Sequence, residues 1–478
     1  MVFYETSFTI DENNHEHFMN ISGDTNPIHS DNQFAKSAGF EKRLIHGINS
    51  VLNILELISG QNIIDFSSVA TCTAAFHKPV FEGDILKIFV EKNKDNSIDI
   101  SARVGITTCF DITLDYGDHK LAVCDGLIFT STERRKKPIL QIQSQPKEYE
   151  KIHINIVPSD ITKAYPSLSS QIGMDRVMSM ASISTIVGMY WPGEFSFCSK
   201  MAFSFNDSPT KDINYKIDFN DERLRLTILN VTGSGVTAKV HAFFRPTPIV
   251  ETAYTEILEK VETEQFANQK ALIIGGSKGL GATTAKIIAA GGGTPTITYA
   301  SSKKSAHAVM NDIIENTGNC DMLPLNVLNQ DDVNSIDVSQ YNVVYFFATP
   351  QIFTRKTKIF DPKLYQNFAS HYCDGLLKVI ERFIEARKKV IIFNPSTTDI
   401  EEKTPGIEEY YLAKQLGEEM LALIASHHTD NVKIISKRLP KVKTNQTTSI
   451  LSTATTTTEA VIQPYILEIT AHITDNFS

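Results

Sequence analysis

The sequence is short of several things that would point to particular chemistries. Six cysteines (72, 109, 124, 198, 320 and 373) are scattered over 478 residues without a CxxC pair. That scatter fits neither a disulfide framework nor a structural zinc pattern. Thirteen histidines likewise show no metal-ligand spacing, so no metal is expected. Basic residues are outnumbered 46 to 55, a formal charge of −9, which argues against nucleic acid as the main partner because phosphate binding needs a basic face. No apolar run reaches the roughly 20 residues that cross a bilayer. The opening MVFYETSFTIDENNHEHF has acids where a secretory leader needs a basic start and an apolar stretch. A soluble, cytoplasmic chain without a membrane partner is the expectation.

What is present is ordinary in bulk. Hydrophobic residues make up 42% and charged residues 21%, values of a globular protein, over a length that calls for two to four domains. The local signal is sharper. In Ser22-Gly-Asp24-Thr-Asn26-Pro-Ile-His29, an acid and a base stand five residues apart across a stiff turn. Proline fixes its own φ and pushes the preceding residue toward extended backbone, so the Asp24 and His29 side chains can converge on one volume. Such a pair can take a proton from one substrate atom and deliver one to another through a held water. Beyond it, Ile48–Ile58 has apolar residues at helical spacing, and a helix starting near Gly47 would aim free N–H groups at the site. Strand-like runs follow at 69–82, 85–93, 97–116 and 120–131.

Gly23-Asp-x-Asn-Pro-x-His29, Ala38-Gly-Phe40, Ile45-His-Gly47 and Phe76-His-Lys-Pro-Val-Phe-Glu-Gly-Asp84 together resemble MaoC-type (R)-specific enoyl-thioester hydratases, over residues 1–135. The resemblance implies a hot-dog fold with Asp24 and His29 as the catalytic pair. It also implies that Asn26 helps to hold the water and that the Gly47 N–H donates to the thioester oxygen. Residues 133–150 read as a linker. Residues 151–246 repeat the helix-then-strands pattern, with a helix over Gly173–Tyr190 and no Asp-x-Asn-Pro-x-His. This second unit is read as a degenerate, non-catalytic hot dog completing a double hot dog.

After a second linker at 246–264 the style changes. Lys270–Gly275 reads as a buried strand, and Gly275-Gly-Ser277-Lys278-Gly279-Leu280-Gly281 opens a helix, an arrangement that lets backbone N–H groups approach a pyrophosphate. Strands at 294–300, 320–326, 342–348, 389–394 and 432–437 alternate with helices and predict an α/β Rossmann domain, a doubly wound parallel sheet. With Tyr410-Tyr-Leu-Ala-Lys414 these features resemble the short-chain dehydrogenase/reductases over residues 268–478. The resemblance implies Tyr410 as the acid, Lys414 as the residue that holds the ribose and lowers the tyrosine pKa, and Ser396 or Thr397 as the hydroxyl on the substrate carbonyl. Arg438-Leu-Pro440 and Thr444 would flank the nicotinamide. Asn326 stands where that family uses an aspartate on adenine, Phe347-Ala-Thr-Pro350 replaces Asn-Asn-Ala-Gly, and Tyr372 falls near the helix asparagine.

Ser301, Ser302 and Lys303 follow the second strand in place of a ribose-binding acid, which favours NADPH over NADH. The Thr-rich 447–458 segment would cover the substrate. Together the halves suggest a bifunctional acyl-thioester enzyme acting on acyl-CoA or acyl carrier protein, with a homodimer expected. One half would dehydrate 3-hydroxyacyl or hydrate trans-2-enoyl thioesters, and the other would reduce 3-oxoacyl thioesters. Alternatives are a hydratase carrying a non-catalytic or differently specific reductase domain (sugar or polyketide carbonyls), or an acyl-binding scaffold.

Overall fold

In the computed structural model the described residues are 2–38, 40–123, 125, 135–140, 148–152, 156–221, 224–245, 251–352, 358–427, 431–442 and 456–477. Gly39, most of the 120–131 run, Glu133 and Arg134, the Pro246–Pro248 junction, Thr444 and most of the Thr-rich segment lie outside them. The chain divides into two compact units, Met1–Thr247 with Arg355–Ile359, and Pro248–Thr354 with Phe360–Ser478.

The first unit is one ten-stranded antiparallel sheet wrapped on long helices. Its strands are β1 (Val2–Thr9), β2 (Val69–Phe76), β3 (Ile85–Lys92), β4 (Ile98–Val104), β5 (Thr107–Tyr116), β6 (Tyr149–Ile152), β7 (Ser196–Phe205), β8 (Ile213–Asp221), β9 (Leu226–Gly233) and β10 (Val236–Phe244). The order is β1-β3-β4-β5-β2-β7-β10-β9-β8-β6. Each half therefore has the same topology, and the halves meet where β2 pairs with β7, Thr71 facing Ser204 and Ala75 facing Lys200. Alternation sets the buried face, as in β3, where Leu86, Ile88 and Val90 point inward. Against that face lies the Gly47–Gly60 helix, burying Ile48, Val51, Leu52, Ile54, Leu55 and Ile58. The second half contributes Met174–Thr185, continued by a π-helical turn, Ile186–Tyr190. The 97–116 run is two strands rather than one, because Gly105 at φ 61° makes a hairpin turn. Positions 120–123 are not strand. The linker read at 133–150 ends one strand early, since Tyr149–Ile152 pairs with β8.

The second unit carries β11 (Lys270–Ile274), β12 (Thr294–Tyr299), β13 (Asp321–Pro324), β14 (Val343–Phe346), β15 (Val390–Thr397) and β16 (Val432–Leu439). They form a parallel sheet in the order β13-β12-β11-β14-β15-β16. The order reverses between β11 and β14, and in such sheets a crevice opens at the carboxyl ends beside the switch. The central strands β11 and β14 and the first half of β15 are continuous apolar runs, because helices cover both faces. Among the described residues no helix is long and apolar enough to cross a membrane.

Candidate active sites

The acid–base turn of the first unit is held from both sides. The Glu12–Ser22 helix ends at Gly23 in the left-handed region, and a one-turn helix, Pro27–Ser30, starts with Asn26 as its cap and proline in its first position. Asp24 sits in the break between them and is 1% exposed. Its Oδ1 accepts from the Asn26 N–H at 3.1 Å, and its backbone N–H donates to Ser22 Oγ. His29 is half-buried, and its Nδ1 lies 2.8 Å from the Leu44 carbonyl oxygen. A carbonyl only accepts, so Nδ1 carries the hydrogen and Nε2 keeps its lone pair for a proton. Asp24 and His29 line the same cavity of ≈ 90 Å³, together with Gly47, Phe76, Phe110 and Met201. Gly47 begins its helix there, so its N–H has no intrahelical partner and the helix dipole faces the cavity.

Burial dominates the protonation of this site. It pushes the Asp24 carboxyl up and the His29 imidazole down, while their mutual attraction works the other way on both. His46 joins them. Its Nε2 is 3.1 Å from the Asp24 carbonyl oxygen and 3.6 Å from Oδ2, and its ring stacks on His29 with centroids 3.7 Å apart. Behind it lies His15, fully buried, with neither ring nitrogen partnered among the described residues. Burial lowers His46 well below the usual histidine range and His15 to about 3. One ring nitrogen from each of His15, His29 and His46 lies within 4.8 Å of the other two, a grouping that sequence spacing gave no hint of. Imidazole lone pairs lie in the ring plane, so stacked rings cannot both aim at one ion. As arranged, the three are packed neutral imidazoles.

The second half supplies groups that sequence reasoning missed. Ser184 Oγ donates to Asp24 Oδ2 at 2.7 Å, and the Thr185 hydroxyl donates to the Ser22 carbonyl. Asn26 also reaches across the halves. Its Nδ2 donates to the carbonyls of Gly188, Gly193 and Glu194, and its Oδ1 accepts from the Ile28 N–H. Asn26 thus staples the two halves together at the turn.

In the second unit the glycine turn, the sheet's switch point and the Glu408–His427 helix converge on a cavity of ≈ 420 Å³. Gly275 (φ 82°) turns the chain after β11 where a Cβ would meet Phe347 backbone at 2.9 Å, so only glycine fits. Tyr410 and Lys414 reach the cavity one helical turn apart, with Ser396 and Thr397 on its wall. Burial raises the Tyr410 phenol to about 12, with Thr397 working the other way. The Thr397 hydroxyl itself donates to Asp399 Oδ2 at 2.8 Å. Burial lowers Lys414 to about 7, and its ammonium donates to the Pro395 carbonyl at 2.7 Å and sits 4.0 Å over the Tyr372 ring. Tyr410 thus stands above the ordinary phenol value, where the resemblance implies a lowering by the lysine. Tyr372 in turn bonds Thr349 at 2.5 Å, so the two departures from the reductase pattern contact each other.

The expected nucleotide residues divide. Gly275, Lys278, Gly279, Leu280, Gly281 and Lys414 line the cavity. Ser277, Ser301, Ser302, Lys303 and Asn326 are not on its wall. Ser302 and Lys303 begin the Lys303–Ile314 helix, and the Asn326 side chain is spent on the Leu328 N–H in an exposed turn. The Gly279 N–H, first in the Gly279–Ala290 helix, is already bonded by the Glu251 carboxylate. Of the covering segment, Thr457 and Thr458 line the cavity. Arg438 pairs with Glu401 and Glu418 away from it, while Leu439 and Pro440 are on the wall.

Comparison with known proteins bears chiefly on the first unit. A family model described as MaoC like domain matches residues 2–109, so the chain carries a MaoC-like domain at its amino end. Peroxisomal multifunctional enzyme type 2 of Mus musculus is 35% identical over 71 residues, a stretch that is 14% of this chain and 9% of that protein. The chain thus matches about a tenth of that relative's length. Among solved structures, a 3-oxoacyl-(acyl-carrier-protein) reductase of Agrobacterium tumefaciens with NADP bound is 17% identical, covering 39% of this chain and 76% of its own, at TM-score 0.34. The alternative dihydrofolate reductase 1 of Brucella suis with NADP is 14% identical, covering 37% and 74%, also at 0.34. An acetoin dehydrogenase of Salmonella typhimurium is 13% identical, covering 44% and 91%, at 0.36. Scores this low identify neither family nor function for the second unit.

Proposed function

We propose that the first unit is a double hot dog that adds water to, or removes it from, the C2–C3 bond of an acyl thioester. In hydration, a water oxygen adds to C3 as His29 Nε2 takes one of its protons. A proton from the Asp24 carboxyl goes to C2, and His29 then returns its proton to Asp24, so the overall change is one water added. The Gly47 N–H donates to the thioester oxygen while negative charge develops there. The carrier is coenzyme A or an acyl carrier protein. One observation carries this reading: Asp24 and an Nε2-basic His29 share a small, largely apolar cavity at the start of the Gly47–Gly60 helix. Hydration of crotonyl thioester, lost in Asp24→Asn and His29→Ala, is the experiment.

We infer further that the second unit reduces a 3-oxoacyl thioester with NADPH, so that its product is the substrate for dehydration. Support comes from the glycine turn at the switch point and from Tyr410 with Lys414 beside it. The lining suits a dinucleotide in part: Gly275, Gly279 and Gly281 bring side-chain-free backbone to the wall and Lys414 is the cation for a ribose, while Glu251 holds the Gly279 N–H that a phosphate would need. Bound there, the nicotinamide would supply hydride. Tyr410, a phenol, would give the carbonyl oxygen its proton, and Thr397 would fix that phenol. Loss of NADPH absorbance with acetoacetyl thioester, abolished by Tyr410→Phe, tests it.

A further inference from the structure

Five contacts made by the second half of the first unit converge on the acid–base turn of the first half. Ser184 Oγ donates to Asp24 Oδ2 at 2.7 Å, and Thr185 bonds the Ser22 carbonyl. The carbonyls of Gly188, Gly193 and Glu194 hold the Asn26 amide at 2.9, 3.2 and 3.2 Å. Gly188 approaches so closely that a Cβ there would stand 2.5 Å from Asp24 Oδ2 and 2.6 Å from Cγ. No side chain fits, and glycine's presence is dictated by the carboxylate across from it. The helix carrying these groups widens into a π-turn at Ile186–Tyr190, immediately after Ser184 and Thr185. Such bulges re-aim backbone groups and occur often beside functional sites.

We propose that Ser184 is a positioning residue for Asp24: it fixes one carboxylate rotamer against the Gly188 backbone and keeps that carboxylate acidic enough to exchange a proton with His29. The second half, which lacks an acid–base pair of its own, is then the mould for the pair in the first. The inference rests on the hydration reading above. The Ser184 hydroxyl bonds one carboxylate oxygen, which His46 Nε2 approaches to 3.6 Å, and the Asn26 N–H takes the other, so the rotamer is fixed at both ends. The titratable groups facing Asp24 are His29 and His46, with His15 behind His46 and Arg245 acting on His29. Ser184 adds no charge to that set, so its removal changes the site only through the lost bond.

The test is the hydration of crotonyl thioester by the full chain across pH, for wild type, Asp24→Asn, Ser184→Ala and Ser184→Thr. Ser184→Ala is expected to lower kcat about tenfold, since a hydrogen bond to a charged group is lost, with KM within about twofold. The basic limb of its profile, where the Asp24 acid ionises, moves to higher pH, because a donor favouring the ionised carboxylate is gone. Ser184→Thr, which keeps the hydroxyl, restores the wild-type limb and has a kcat within about threefold. A Ser184→Ala profile that stays in place with kcat within twofold of wild type overturns the inference, and so does a Ser184→Thr variant as impaired as Ser184→Ala. An inactive wild type, or an Asp24→Asn variant as active as wild type, instead sinks the hydration reading and takes the inference with it.

Discussion

His46 stacks on His29 with ring centroids 3.7 Å apart while its Nε2 lies 3.1 Å from the Asp24 carbonyl oxygen. One side chain thus touches both members of the acid–base pair. With Nε2 donating, His46 is neutral, as its burial demands. Replacing it by leucine, of similar bulk, removes the donor and leaves a buried carbonyl unpaired. The expected result is a hydration kcat about tenfold lower and a loss of about 1–3 kcal/mol in stability. Urea titration and initial rates read the two effects separately. Unchanged rates would make His46 a packing residue only.

Acid stability reports on His15. Its folded pKa is about 3 against the usual 6.5, so between those values the unfolded chain binds one proton more than the folded one. Stability from this group is complete above about pH 6.5 and falls as pH drops, by about 1.4 kcal/mol per unit at most. His15→Met is expected to flatten the slope of urea midpoint against pH over that window. A slope identical to wild type would contradict the burial of a neutral ring there.

Both topologies were open to sequence reasoning in outline, for a physical reason. Period-two alternation in β3, the apolar stripe of the Gly47–Gly60 helix and the continuous apolar central strands β11 and β14 are local consequences of burial. Asp24, His29, Tyr410 and Lys414 were legible because their spacing along one turn or helix does the work. Ser184 was not, since a separation of 160 positions from Asp24 leaves no local trace of their bond. His15 was hidden likewise, as an ordinary helix residue until the fold closes over it. The bonds of Asn26 to the other half were hidden too, because its partners there are backbone carbonyls, which no side-chain pattern announces.

Glu251 bonds the first N–H of the Gly279–Ala290 helix, where a nucleotide phosphate would be bound. Burial raises its pKa, and a negative carboxylate there would oppose a second anion. Glu251→Gln keeps an oxygen for the N–H and removes the charge. NADPH is expected to bind about tenfold tighter, about 1.4 kcal/mol, a modest share of one unscreened like-charge repulsion. Calorimetric titration decides it, and equal or weaker binding would show that the carboxylate does not compete.

Tyr372 offers its ring to Lys414 and its hydroxyl to Thr349. A desolvated cation over an aromatic face is worth about 2 kcal/mol or more, so Tyr372→Leu should reduce acetoacetyl-thioester reduction by roughly tenfold or more. Tyr372→Phe, which keeps the ring, should stay within about threefold. Equal losses in the two variants would move the weight from the ring to the hydroxyl.

The most direct measurement supplies 3-hydroxybutyryl thioester to the full chain with no nucleotide present and follows the enoyl product. The account predicts that trans-2-enoyl thioester forms with wild type and that Asp24→Asn and His29→Ala each lower the rate by about two to four orders of magnitude. Absence of enoyl product with both the coenzyme A and the acyl-carrier forms, or full activity in either variant, would contradict it.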